Sequence, residues 1–296
     1  MGQYKTPSRK VFLVLTYIFF VFYALICLLP MINVLAISLS SSGAVAAGRV
    51  GLWPVDFTLQ SYIFVIETPA FIRSFWIALQ RVAIGVPVNM ILTILVAYPL
   101  SKSEKELSGR TVYTWFFVIT MLFSGGLIPL YMVVSMTGML DSIWALVIPG
   151  ALPVFNMIIL LNFFRNLPRE IEEAAYIDGA GHMRILVKIF LPLSVPALAT
   201  LTLFSAVFHW NSWFDGIIFM NRPENYPLAS YLQTIVVQFG ALTQALTMAD
   251  AQRFAGISDR TARSAQIFIG MMPILMAYPF LQRYFMSGIV LGSVKG

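Results

Sequence analysis

The stretch VFLVLTYIFFVFYALICLLPMINVLAISL runs from Val11 to Leu39 without one charged side chain. A helix of about 20 apolar residues crosses the hydrocarbon of a bilayer, so this run exceeds what a span needs. It also exceeds the apolar part of a secretory leader, about 7–15 residues. Lys5, Arg9 and Lys10 precede the run and the small residues of SSSGAVAAG follow it, yet its length argues for a retained first span. In hydrocarbon every backbone N–H and C=O needs a partner within the chain, which makes such a span helical. The rest of the chain agrees: 11% of residues are charged and 59% are hydrophobic, where a soluble domain carries about 25% charged residues. The sequence predicts an all-α integral membrane protein.

Six spans are predicted, at Val11–Leu39, Phe71–Leu100, Val112–Met136, Ile143–Phe164, Leu191–Met220 and Ala265–Ser287. Between the third and fourth, MTGMLDS is the only clear turn signal. Prolines such as Pro30, Pro87, Pro129, Pro149, Pro153, Pro196 and Pro273 lie inside spans and are expected to bend or interrupt several of them. With a cytoplasmic N terminus, twelve of the 19 basic residues fall on the cytoplasmic side, six on the other, and Arg81 lies within the second span. That asymmetry places both termini inside and the segment Glu172–Lys188 with them. The predicted organisation is residues 1–70 for the first span and an outer segment, 71–290 for a transmembrane core with a polar loop at about 166–190, and 291–296 for a short tail. Two outer segments, Ser40–Ala70 and Asn221–Ser264, carry aromatic residues suited to the interface, and YPLASYLQTIVVQFGA has the pattern of a short helix. The net charge of +6 is scattered between apolar runs, unlike the dense basic patch of a nucleic-acid binder. The single cysteine, Cys27, excludes an intrachain disulfide and is expected to be a buried, inert thiol.

The polar loop reads as two short helices. In RNLPREIEEAAYIDGA, Asn166 is a candidate N-cap and Pro168 suits an early helical position. The acidic Glu170, Glu172 and Glu173 follow where the helix dipole favours them. Ile171, Ala174, Ala175 and Ile177 form an apolar stripe, and Asp178–Gly179 supply a turn. A second amphipathic piece, His182–Phe190, presents Ile185, Leu186 and Ile189 on one face and Arg184 and Lys188 on another.

This loop resembles the coupling loop of ABC importer permeases. The family pattern is EAA, three residues, Gly, nine residues, Ile, one residue, Leu-Pro. Here it is met by Glu173, Ala174, Ala175, Gly179, Ile189, Leu191 and Pro192. IPLYMVV from Ile128, the stretch IWALVIPGALPVFNMIILLNFFRNLPREIEEAAYIDGAG, HWNSWFDGIIFM from His209 and the terminal YFMSGIVLGSVKG resemble the carbohydrate branch, with likeness to permeases of the complex-oligosaccharide and alginate-importing type. The resemblance implies the type I importer permease fold of six transmembrane helices with a cytoplasmic coupling-helix loop, in a bacterial cytoplasmic (inner) membrane. It implies a second related permease subunit, two copies of a cytoplasmic ATPase, an extracytoplasmic solute-binding protein and an oligosaccharide substrate. It also assigns Glu172, Glu173, Ala174, Ala175, Asp178, Gly179 and Ala180 to the ATPase contact. No GxxxxGK[ST] loop is present, so ATP and Mg are expected on the partner ATPase, with no cofactor on this chain.

No catalytic residue is assigned. The two histidines, His182 and His209, lack metal-ligand spacing, and no GxSxG nucleophile pattern occurs. Polar groups at bilayer depth mark either a solute path or hydrogen bonds between helices. Arg81, Asn89, Asn156, His209, Trp210, Asn211, Trp213 and Asp215 are the candidate solute-path residues, the tryptophans because an aromatic face stacks on a pyranose ring. If Arg81 and Arg73 face the path, the sugar is acidic, such as a uronic-acid oligomer; the competing reading pairs Arg81 with Asp215. Other functional readings are a permease for another small solute, a non-energised scaffold and a secondary carrier.

Overall fold

The computed structural model describes residues 7–237 and 257–292. Every regular element among them is helical. In chain order these are α1 (Pro7–Ser38), α2 (Ser42–Ala46), α3 (Gln60–Glu67), α4 (Pro69–Ser101), α5 (Arg110–Leu122), α6 (Leu127–Met136), α7 (Ile143–Val147), α8 (Val154–Arg165), α9 (Arg169–Ile177), α10 (His182–Ile185), α11 (Leu191–Leu193), α12 (Val195–Asn211), α13 (Phe214–Phe219), α14 (Leu228–Val237) and α15 (Asp259–Gly292). The parts of the predicted outer segment and tail at 238–256 and 293–296 lie outside the described residues.

Among the described residues two helices, α1 and α4, are each long and apolar enough to cross a membrane, and the number rises to five if each of three bent pairs is one span. The sixth predicted segment lies within α15. The predicted third, fourth and fifth spans are broken helices, in keeping with the bends and interruptions expected of several spans. The third bends by 110° between α5 and α6, where Phe123 leaves the helix and Gly126 takes a left-handed φ of +92°. The fourth bends by 48° between Ile143–Gly150 and α8. Pro149 and Pro153 flank that break, and each lacks the N–H that a continuous helix would use. The fifth bends by 83° between His182–Leu193 and α12 at Ser194, and α13 is a separate short helix. Pro192 cannot donate to the carbonyl of Lys188, and the turn ahead of it, Leu186–Phe190, widens into a π-helix.

The described residues fall into two compact units, one from 7–71, 234–237 and 257–271, the other from 72–233 and 272–292. In the first, Ser38 Oγ and Tyr62 Oη lie 2.8 Å apart, and Asn33 Nδ2 donates to the Gly51 carbonyl at 2.7 Å. The apolar window of α1 is 0% buried within this chain, so its surface is left for lipid or a second chain to cover. Cys27 lies on that surface and is exposed, not the buried thiol expected. In the second unit the main core joins the C-terminal half of α4 (Ala97, Tyr98, Leu100) to α8 (Met157, Leu160, Leu161, Phe164), Ala175 of α9, and Ile185, Leu186 and Phe190 around the π turn. Tyr98, Phe164 and Phe190 meet edge to face with centroids 5.1–6.4 Å apart, the favoured aromatic geometry. A smaller cluster packs Val134 of α6, Ala145 and Leu146 of α7, and Phe219 with Met220 at the end of α13.

Candidate functional site

Broken spans leave carbonyls without helical partners, and in a membrane protein these must be met by neighbouring side chains. Two of the predicted path residues, Arg81 and Asn89, do this, and His209 and Asp215 join them in one cluster. Asn89 on α4 donates from Nδ2 to the carbonyls of Gly150 and Ala151 at 2.7 and 2.9 Å, both in the break ahead of α8. Arg81, two turns earlier on α4, donates from Nη2 to the Leu146 carbonyl at 3.3 Å and from Nη1 to the Ser212 carbonyl at 3.2 Å. Ser212 lies in the break between α12 and α13. Both terminal nitrogens of Arg81 also reach the Asp215 carboxylate, Nη1 at 3.1 Å from Oδ1 and Nη2 in a close ion pair with Oδ2. This is the bidentate fork that arginine makes with a carboxylate.

His209 completes the cluster. Arg81 Nε donates to its Nδ1 at 3.5 Å, so Nε2 carries the ring proton and donates to Asn89 Oδ1. Gly85, one turn from Arg81 and Asn89, makes room for the ring: a Cβ there would lie 2.5 Å from His209 Nε2. Gly85→Val is expected to displace His209 and break its hydrogen bonds to Arg81 and Asn89. Overpacking a filled interior costs about 1–3 kcal/mol. Size-exclusion profiles and melting midpoints of the detergent-solubilised chain would measure it; an unchanged midpoint would show that the ring has somewhere else to go.

The other predicted path residues are not brought into this cluster. Asn156 is buried on α8, and Trp210 is buried edge-on against Phe75 with ring centroids 5.6 Å apart. Asn211 and Trp213 are exposed, and Phe214 beside them makes a T-shaped contact with Trp213 at 5.6 Å. Arg81 is 0% exposed with its charge met by Asp215, the competing expectation from sequence. Arg73 is largely exposed and shares Glu224 at 3.4 Å and Asn225 Oδ1 at 3.3 Å.

The second constellation surrounds α9. Asn166 is the C-cap of α8, not the N-cap of the next helix, and Pro168 stands at the N-cap itself without a side-chain bond. The physical reason is Pro168, which biases Leu167 away from helical geometry and moves the start of α9 to Arg169. The predicted apolar stripe is also only partly buried: Ala175 packs into the core, while Ile171, Ala174 and Ile177 are exposed. Ile177 is 87% exposed at the end of the helix. Gly179 follows with φ +76°, a left-handed geometry that glycine adopts without a Cβ penalty, and its N–H returns to the Tyr176 carbonyl at 3.0 Å. In the second piece Ile185 and Leu186 are buried, as expected.

Glu172 faces inward and pairs with Lys102, which is buried at the end of α4. The Lys102 ammonium also sits over the rings of Tyr98 and Phe190, 4.1 and 4.3 Å from their centroids, so its charge is met on all approaches. Tyr176 Oη donates to Glu172 Oε1 at 3.0 Å. Burial, then the bond to Glu172, push the Tyr176 phenol up to about 12, so it stays protonated. Its one hydrogen being used, the contact with His182 at 2.8 Å requires His182 Nδ1–H to donate to the phenol oxygen. Glu173, Ala174, Asp178 and Gly179 lie on the open side and Ala180 is half-buried. Sequence reasoning missed Lys102, Tyr176 and Gly85 as site members. Lys102 and Glu172 are 70 positions apart, and no local spacing connects them.

No protein-family model matches the chain. It is 39% identical over 289 residues to the polygalacturonan/rhamnogalacturonan transport system permease protein YtcP of Bacillus subtilis (strain 168), covering 98% of this chain and 100% of YtcP. It is 38% identical over 294 residues to protein LplC of the same organism, covering 99% of this chain and 98% of LplC. Among solved structures, a chain of a bacterial ABC transporter involved in the import of the acidic polysaccharide alginate matches with a TM-score of 0.86 at 31% identity, over 96% of this chain and 100% of that one. A chain of the bacterial alginate ABC transporter in complex with an alginate pentasaccharide-bound periplasmic protein matches at 16% identity and a TM-score of 0.53, a likeness of fold alone.

Proposed function

This chain belongs to the permease subunits of ABC sugar importers, and from that membership we propose that it carries an acidic oligosaccharide into the bacterial cytoplasm. The observation that carries the acidic class is the agreement of two relatives: one is named for polygalacturonan and rhamnogalacturonan, the other belongs to an importer of alginate. As a permease subunit the chain is not itself an enzyme. In this reading a second, related permease completes the membrane path, an extracytoplasmic binding protein delivers the sugar, and two copies of a cytoplasmic ATPase bind ATP and Mg. The membrane is the cytoplasmic (inner) one, with both termini on the cytoplasmic side. The homology does not favour the scaffold or secondary-carrier readings.

The coupling step follows from the shape of the α9 segment. Its outward side offers Ile177, Glu173 and the Gly179 turn to the ATPase. Its inward side is tied to α4 by Lys102–Glu172 and to the core by Ala175. Displacing α9 therefore drags the end of a membrane-length helix with it. The solute is met by aromatic and amide groups: Asn211, Trp213 and Phe214 are open, whereas Arg81, Asn89, His209 and Asp215 hold the broken spans together beside them. Arg81, already neutralised, contributes no free positive charge to the sugar in this arrangement.

Reconstituting the assembled importer with its binding protein and supplying matched neutral and uronic-acid oligomers tests the substrate class. Uptake and stimulated ATP hydrolysis are expected with the uronic series. Uptake of the neutral series alone would sink the acidic assignment while leaving the importer intact.

A further inference from the structure

The transport reading uses Lys102, Glu172 and Glu173 but not the other basic residues of the cavity that opens among α4, α5, α8 and α9. The cavity has a volume of about 430 Å³. Lys105, Arg110, Arg165 and Arg169 line it together with Lys102. Three carboxylates also line it, and two of them are engaged locally. Glu172 is matched by Lys102. Glu106 accepts from the Ser103 hydroxyl and amide at 2.6 and 2.8 Å, which holds its carboxyl below the usual range. Glu173 is the third.

Backbone carbonyls hold the two arginines in place, and of the five cations Lys102 and Arg110 are also ion-paired, with Glu172 and Glu104. Arg110 Nη1 donates to the Lys102 carbonyl and Arg165 Nη2 to the Leu100 carbonyl, each at 3.1 Å, so the end of α4 anchors one edge of both guanidinium groups. Arg165 lies close enough to Arg110 to feel its charge. Arg110 Nε is shut off from solvent without a hydrogen-bond acceptor, although it ion-pairs at 3.7 Å with Glu104, which lies outside the cavity lining. Among the described residues, Arg165, Arg169 and Lys105 have no carboxylate within ion-pair distance. Two neighbouring arginines with a buried spare donor, and two more cations beside them, form a site short of negative charge.

We propose that this cavity binds a phosphate-bearing anion, held by Arg110 and Arg165 with Arg169 and Lys105 around it. The planar guanidinium fork suits phosphate oxygens, and several cations sharing one anion remove the repulsion between them. The cavity opens at the end of α4, a helix long enough to cross a membrane. Beside it α5 has no buried residue, with Val112, Trp115 and Phe116 all outward, which gives acyl chains a surface to lie on. Basic pockets between helices at a cytoplasmic face are suited to anionic headgroups. The same chemistry would accept a soluble phosphate, and the test separates the two sources. The orientation proposed above decides only which leaflet is meant.

The whole importer, purified in detergent, is equilibrated with phosphatidylglycerol or phosphatidylcholine of identical acyl chains, and retained lipid is counted by native mass spectrometry. In parallel, inorganic phosphate is titrated and its phosphorus resonance watched for broadening. Phosphatidylglycerol is expected to be retained preferentially, with Arg165→Gln and Arg169→Gln each lowering retention about fivefold. Lys105→Gln, at an exposed loop position where folding is not at stake, should lower it in the same direction. Broadening of phosphate that the same variants abolish, without lipid preference, would assign a soluble ligand instead and keep the site. Equal retention by wild type and all three variants with no broadening overturns the proposal. So does unchanged lipid retention with loss of the ATPase, which would give these cations to protein docking.

Discussion

Asp215→Ala should lower the stability of the folded chain by about 3–5 kcal/mol, the usual cost of leaving one member of a buried ion pair uncompensated. Arg81 is the reason: its side chain is 0% exposed, against 24% for Asp215. Arginine does not shed its proton to escape a bad environment. The double variant Arg81→Met, Asp215→Leu should recover much of that loss, because two apolar side chains need no counter-charge. It should not recover all of it, since Arg81 also serves the Leu146 and Ser212 carbonyls and the His209 ring. Melting midpoints of wild type, Arg81→Met alone, Asp215→Leu alone and the double variant form the required cycle. A coupling of about 2 kcal/mol or more between the two sites is expected. Additive effects would show that the pair is not a unit and reopen Arg81 as a free contact for an acidic sugar.

Ile177→Asp should separate the permease from its ATPase while leaving the permease folded. Ile177 is 87% exposed in this chain, and an apolar side chain held out by a rigid turn suits a partner's groove. Burying an isoleucine stabilises by about 1.5–3 kcal/mol. Putting a carboxylate into the same groove adds desolvation, so affinity should fall about 100-fold or more. Co-purification of the ATPase and sugar-stimulated ATP hydrolysis would both be lost, and the melting midpoint of the permease alone should not move. Ile177→Ala is the milder control. If Ile177→Asp retains the ATPase at wild-type stoichiometry, the end of α9 is not where the force enters.

The two constellations differ in how far they can be seen along the chain. The α9 segment was largely visible, because its signals are local: acidic residues in a first turn, alanines one after another, then Asp178–Gly179. Its correction was also local, since Pro168 displaced the start of the helix by a few positions. The buried cluster was visible only as a set of suspicious polar residues. Arg81 and Asp215 are 134 positions apart, and Asn89 and His209 are 120 apart. Each of those residues fits a solute path and an interhelical bond equally well until its partner is known. Gly85 gave no sign at all, because a glycine in an apolar span states a purpose only when a ring is found against it.

What the sequence determined by itself is the environment and the local grammar. Runs of apolar residues longer than a bilayer leave a chain no stable state in water, and unpaired backbone in hydrocarbon forces helix. The spacing from Glu173 to Pro192 sets two short helices around one turn. What only the tertiary structure decided is where the spans break and what repairs the breaks. A helix interrupted at Pro149 or Ser212 frees carbonyls in places that depend on the bend. The donor that meets them is whichever side chain the fold carries alongside. Arg81 and Asn89 acquired that work from their position in space, because the cost of an unsatisfied group falls on the site and not on the sequence around it.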